Sequence, residues 1–141
     1  MKKLIFILLA VLSTNTLSAQ KIEIVSESIS SSLRGLSAVD NNVVWASGSN
    51  GAVGKTTDGG KTWKWMTVKG FEKTDFRDIE AFDAKSAVIM GISEPAYILR
   101  TTDGGDNWKI VFEDNKKGMF LDAMEFWNDQ SGIVLGDPID G

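Results

Sequence analysis

Neither cysteine nor histidine occurs anywhere in the 141 residues. The first absence excludes disulfides, thiolate nucleophiles and thiolate metal ligands, and the second removes the imidazole base and the commonest zinc, haem and copper ligand. No metal and no cofactor are therefore expected. Long hydrophobic runs are missing as well: the apolar stretch from Leu4 to Leu12 is well short of the roughly 20 residues that cross a bilayer. Preceded by Met1-Lys2-Lys3 and followed by the polar stretch Ser13 to Gln20, it reads as a secretory signal peptide over residues 1–19, cleaved after Ala19. Cleavage leaves no membrane span, and the expected location is exported, periplasmic or extracellular. Basic charge is not in excess either. The formal charge of −4 becomes −6 once Lys2 and Lys3 leave with the signal, so neither nucleic acid nor an anionic membrane surface is an expected partner. An exported chain without disulfides must hold itself together by burying apolar surface, so its fold is sizeable or continues beyond this chain.

What is present is a repeat. Thr56-Thr57-Asp58-Gly59-Gly60-Lys61-Thr62-Trp63 returns 45 residues later as Thr101-Thr102-Asp103-Gly104-Gly105-Asp106-Asn107-Trp108. Upstream, Phe76-Arg77-Asp78-Ile79-Glu80-Ala81-Phe82 matches Phe120-Leu121-Asp122-Ala123-Met124-Glu125-Phe126, and a weaker copy spans Leu33 to Val39. This alignment sets Asp78 and Asp122 at matching positions, at the starts of successive innermost strands. Each copy is followed by an aliphatic run that closes on Gly48, Gly91 or Gly136. Separated by Asp, Asn, Gly and Ser clusters, these segments read as four strands per unit, in the second unit Arg77 to Phe82, Ala87 to Gly91, Tyr97 to Arg100 and Trp108 to Phe112. The last strand predicts one better-buried face carrying Trp108, Ile110 and Phe112. No segment has a convincing helical period.

Four short strands recurring every 40 to 50 residues predict an all-β fold, a β-propeller of four-stranded antiparallel blades. Residues 20–141 then hold a partial propeller, with blade 1 over about 33–68, blade 2 over about 76–112 and a third blade beginning near 120. A blade cannot cover both faces of its own sheet, so a chain of two and a half blades is expected to be a fragment of a longer ring. The alternative is a short product that completes its ring with copies of itself.

The pattern Thr-x-Asp-x-Gly-x-x-Trp resembles the Asp box, or BNR repeat, of sialidases, glucan-degrading glycosidases, sortilin-type receptors and photosystem II stability/assembly factors. In this pattern Thr56, Asp58, Gly60 and Trp63, and again Thr101, Asp103, Gly105 and Trp108, are structural: the carboxylate accepts backbone N–H groups, glycine supplies positive φ, and tryptophan buries beside the turn. Over the mature chain, and most of all in the closing text from Phe126 to Pro138, the sequence is similar to the assembly-factor-like branch of exported bacterial BNR propellers. That family shape is shared more widely than any photosynthetic role.

Other constellations carry less. Ser49 to Thr56 nearly spells a phosphate-binding loop, but the first glycine is Ser49 and a turn follows where a helix is needed. A sialidase needs an arginine cluster and a tyrosine nucleophile, and the chain offers Arg34, Arg77, Arg100 and the single Tyr97. A working surface is expected at the ring end that carries the starts of the first strands and the exits of the second, gathering Arg34, Arg77, Asp78, Ser93, Glu94, Asp122 and Asp137. No catalytic residue is assigned. The sequence thus predicts an exported, noncatalytic scaffold that binds a protein or an envelope glycan. The alternative is a sialidase-like or other BNR-type glycoside hydrolase whose active site is completed by blades outside this chain.

Overall fold

The computed structural model describes residues 21–24, 29–92 and 94–139; the expected signal peptide lies outside them. Ten strands follow one another: β1 (Leu33–Ala38), β2 (Val44–Gly48), β3 (Ala52–Thr56), β4 (Lys64–Thr67), β5 (Phe76–Ala81), β6 (Ala87–Gly91), β7 (Ala96–Thr101), β8 (Lys109–Asp114), β9 (Leu121–Asn128) and β10 (Ser131–Gly136). They form two four-stranded sheets, β1-β2-β3-β4 and β5-β6-β7-β8, and the two-stranded sheet β9-β10. Every pairing is antiparallel between neighbours in sequence, the up-and-down pattern of propeller blades. No helix among the described residues is long and apolar enough to cross a membrane.

The hairpins at one end of the blades share a turn device. The Asp40 carboxylate accepts the N–H groups of Asn42 and Val43, both at 2.7 Å. Asp83 does the same for Lys85 and Ser86, and the Asn128 side-chain oxygen for Gln130 and Ser131. A side chain that mimics a backbone acceptor closes each turn without a positive φ at its own position. At the same end of the blades, β3 leads into β4, and β7 into β8, through the two Asp-box turns.

Apolar positions on the inner strands bury between sheets. The first interblade layer takes Trp45, Val53 and Val68 from the first blade and Phe76, Ile79, Ile89 and Leu99 from the second. The second takes Val88, Met90 and Ile98 from the second blade and Leu121 and Met124 from the third. Each of these large side chains contributes about 1.5–3 kcal/mol when fully buried. At the first layer β1 and β5 approach closely because Gly35 has no side chain, and a Cβ there would lie 2.8–2.9 Å from the backbone of Asp78 and Ile79.

The outer strand β8 departs from the predicted one-sided burial. Leu99 pairs with Ile110 and Ile98 with Phe112, leaving Val111 as a bulged residue. The bulge reverses the alternation, so Ile110 and Phe112 point to opposite faces, and Ile110, Val111 and Phe112 are all exposed. Only Trp108, just before the strand, reaches the core.

Candidate functional site

Each first strand opens on a β-bulge. The register skips Arg34 in β1, Arg77 in β5 and Asp122 in β9. A bulged residue is unpaired in the ladder and its side chain is re-aimed, here toward the end of the ring opposite the Asp-box turns. This register moves the repeat correspondence by one residue: Asp122 is equivalent to Arg77, and Asp78 is equivalent to Ala123. The sequence alignment had matched Asp78 with Asp122 because the two aspartates were the stronger letter match, and strand pairing, not letter identity, decides which residue is extra.

Arg34, Arg77, Asp78 and Asp122 line one open depression of about 440 Å³. The Arg77 Nε donates to the Asp122 carbonyl at 3.0 Å and its Nη2 lies 3.1 Å from Asp122 Oδ1, so a single guanidinium ties the second blade to the third. Its plane also covers the Phe120 ring, 5.4 Å from the centroid. Both Asp78 oxygens accept backbone N–H groups, Oδ1 from Ile79 at 2.9 Å and Oδ2 from Met124 at 2.8 Å. Arg34 is the loosest member, with Nη2 3.8 Å from Asp75 Oδ2. Deeper along the same strand, burial pushes the Glu80 carboxyl up, and the neighbouring Glu125 and Asp78 carboxylates add to the rise.

The other expected members of this face stand apart from the depression. Glu94 sits in the β6–β7 hairpin, where its Oε1 accepts the Gly118 N–H at 2.6 Å and so holds the loop between β8 and β9. Asp137 follows β10, exposed, with its backbone N–H on the Phe120 carbonyl at 2.9 Å. Ser93 lies outside the described residues.

At the opposite end, the two Asp-box turns superimpose bond for bond. The Thr56 hydroxyl donates to Asp58 Oδ1 at 2.8 Å and accepts the Gly60 N–H at 2.9 Å. Asp58 in turn accepts the Thr62 N–H at 2.9 Å and the Thr62 hydroxyl at 2.6 Å. Thr101, Asp103, Gly105 and Asn107 repeat the pattern, the asparagine amide taking the place of the threonine hydroxyl. These bonds hold both carboxyls down to about 2, the side-chain bond from residue 62 or 107 being the largest cause. Trp108 packs edge-on to Trp45, whereas Trp63 stacks flat on Trp65.

A cation just before each box links consecutive blades. Lys55 Nζ donates to the Ala84 carbonyl at 2.8 Å and to the Gly104 carbonyl at 3.1 Å, and it lies over the Trp45 ring. Its repeat partner Arg100 donates to the Asp129 carbonyl and lies over Phe82. The near phosphate-loop Ser49 to Thr56 is a hairpin and strand β3, with the Trp65 ring occupying the space beside Gly54 and Lys55 committed to the next blade. The three arginines do not cluster, since Arg100 lies near the hairpin end of β7 while Arg34 and Arg77 share the bulge end. Tyr97 packs against Phe71 on the outer side of the second blade.

The geometry defines an Asp-box β-propeller whose charged end is built from bulged strand starts. The model for the family "Photosynthesis system II assembly factor YCF48" matches residues 14–119, and the chain belongs to this family. Two curated relatives are the photosystem II assembly lipoprotein Ycf48 of Synechococcus sp. (strain CC9902), 34% identical over 70 residues, and the chloroplastic photosystem II stability/assembly factor HCF136 of Arabidopsis thaliana, 33% identical over 89 residues. The matches cover 49% and 59% of this chain but only 20% and 21% of those proteins. Among solved structures, YCF48 bound to a D1 peptide superposes with a TM-score of 0.62 at 26% identity, covering 74% of this chain and 33% of that one. YCF48 from Cyanidioschyzon merolae gives a TM-score of 0.62 at 26% identity, covering 79% and 36%. The chain therefore spans about a fifth of the curated relatives and about a third of the solved structures.

Proposed function

We propose that this protein is an exported, noncatalytic scaffold that binds a polypeptide segment at the ring end lined by Arg34, Arg77, Asp78 and Asp122, with Glu94 and Asp137 beyond the depression on the same end. The observation that carries the reading is the convergence of four charged side chains from three successive blades on one open depression. Mixed charge at an open end suits an extended chain that presents both carbonyls and charged groups. Membership of the YCF48 family and the likeness to a YCF48 structure holding a D1 peptide support a protein partner. Binding suits the site better than hydrolysis: glycoside cleavage needs two available carboxyl groups across a cleft, whereas each Asp78 oxygen accepts a backbone N–H group and Asp122 is paired with Arg77.

Fluorescence anisotropy with labelled peptides tests it, using the D1 peptide together with short acidic, basic and neutral peptides. Arg34→Glu is the cleanest variant because its partner is distant, and it is expected to weaken binding of the acidic peptides about tenfold. Asp103→Asn, at the far end of the blade, is expected to leave the affinity unchanged at neutral pH. Equal affinities for wild type and Arg34→Glu across the panel would remove this face as the binding site.

A further inference from the structure

The first two blades are each complete four-stranded sheets, and the seam between them holds an oxidisable side chain. Met66 on β4 pairs with Val53 and shares its face, packed against the first interblade layer but only partly buried. Its thioether lies against the second glycine of the next Asp box. A Cβ on Gly105 would stand 3.0 Å from Met66 Cε, 3.1 Å from its Sδ and 3.4 Å from Trp45 Cζ3. Gly105 also holds φ at 91°, a conformation that side chains disfavour, so the box presents bare backbone to the sulfur. A recess of about 190 Å³ opens at the same seam, with Thr67 and Val68 on one side and Gly105 and Trp108 on the other. It has room for a molecule the size of hydrogen peroxide. The chain has no cysteine, so its thioethers are the only sulfur that an oxidant can meet. Met90 is fully buried and Met124 is 6% exposed. Met119 is partly buried against the second layer.

We propose that Met66 is a redox-sensitive modification site, whose oxidation to the sulfoxide loosens the seam between the first two blades. The oxidant is a peroxide. The Sδ lone pair attacks one peroxide oxygen, the S–O bond forms as the O–O bond breaks, and the other oxygen leaves as water or an alcohol, carrying the proton of the transferred oxygen. Sulfur loses two electrons and the peroxide gains them. The product replaces an adaptable apolar group with a polar one that requires a hydrogen bond. The N–H groups of both neighbours are already committed, Gly105 to the Thr101 hydroxyl at 3.0 Å and the Trp45 indole to the Asp83 carbonyl at 3.0 Å. The new oxygen therefore turns toward solvent, and the methyl group withdraws from Gly105 and Trp45. The box turn of the second blade then loses the contact on which it rests.

Peptide mapping by mass spectrometry, after timed exposure of the chain to hydrogen peroxide, reads each methionine separately and tests the proposal. Met66 is expected to oxidise well ahead of Met90 and Met124, and the treated chain to melt about 4 °C lower by circular dichroism. Met66→Leu keeps the apolar contact and cannot take up oxygen, so it is expected to melt like wild type before treatment and to lose little after it. Met119→Leu is expected to stay as sensitive to peroxide as wild type. Met66→Gln sets a polar end at the seam without any oxidant and is expected to melt low from the start. Equal oxidation rates for Met66 and the buried Met90 would overturn the proposal. So would a Met66→Leu chain that loses as much to peroxide as wild type does. A further arm does not depend on how the variants fold: methionine sulfoxide reductase applied to the treated wild type is expected to restore the melt as the Met66 sulfoxide disappears. A melt that stays low once Met66 is reduced, or that never fell while Met66 was oxidised, overturns the link between this sulfur and the seam.

Discussion

At the scale of single residues, the hydroxyls of Thr56 and Thr101 are the hubs of the Asp boxes. Each is 1% exposed and serves at once as donor to the carboxylate and acceptor for the second glycine N–H. The box residues were legible from their identity and spacing. The equivalent aspartate and asparagine at 40, 83 and 128 were not, although their spacing of 43 and 45 residues was available as a signal. It was hidden because the chain between the paired residues Met90 and Ile98 is two residues longer than that between their counterparts Ser47 and Val53, which breaks a single fixed period. The box carboxyls give a pH prediction. Asp103 falls from 3.8 to about 2 in the folded chain. A depressed carboxyl contributes stability above its unfolded value and loses it as pH falls through the folded one, so this share is present above about pH 4 and gone near pH 2. Asp103→Asn is expected to lower the melting temperature at pH 7 and to flatten the decline between pH 4 and pH 2, as read by circular dichroism melts. An unchanged acid limb would show that the bonds to Thr101 and Asn107 carry no net stability.

At the scale of elements, strand positions followed from alternation and turn chemistry, but strand register did not. A one-residue bulge at Val111 moved Phe112 to the other face, and the bulges at Arg34, Arg77 and Asp122 decided which charged residue each blade presents. Nothing in the identities of those residues announces a bulge, because the defining feature is the pairing with a neighbouring strand. The interblade cations were equally hidden: Lys55 and Arg100 differ in type and read as ordinary strand-end charges. Lys55 nonetheless satisfies two carbonyls of the next blade. Lys55→Ala strands both, and is expected to destabilise the fold by about 1–3 kcal/mol in urea titration. Lys55→Arg, which can reproduce the reach and charge, is expected to recover part of the loss.

For the molecule as described, the second sheet packs against neighbours on both faces. Phe76 and Ile79 on β5 point back into the first layer, while Val88 and Met90 on β6 point forward into the second. The backbone amides of β5 and β6 are therefore expected to exchange most slowly with deuterium, and those of β4, β8 and β10 most rapidly, as resolved by mass spectrometry. Uniform protection across all ten strands would show that edge and centre open together. The repeat made this architecture legible before any coordinate, since a four-strand unit recurring at a fixed period leaves few alternatives. The charged depression proposed as a binding face was legible only in part. Its end of the ring and four of its residues followed from repeat logic, but the way Arg77 and Asp78 are spent on joining blades emerges only from the distances.

Trp45 brings several of these features to one point. Its indole is fully buried between the first two blades, donates to the Asp83 carbonyl at 3.0 Å, meets the edge of Trp108 and lies beneath the Lys55 ammonium. The other four tryptophans retain contact with solvent. The chain consequently carries its own optical gauge of blade docking: Trp45 is expected to dominate a blue-shifted, quencher-resistant emission component, whose red shift would record the parting of the first two blades.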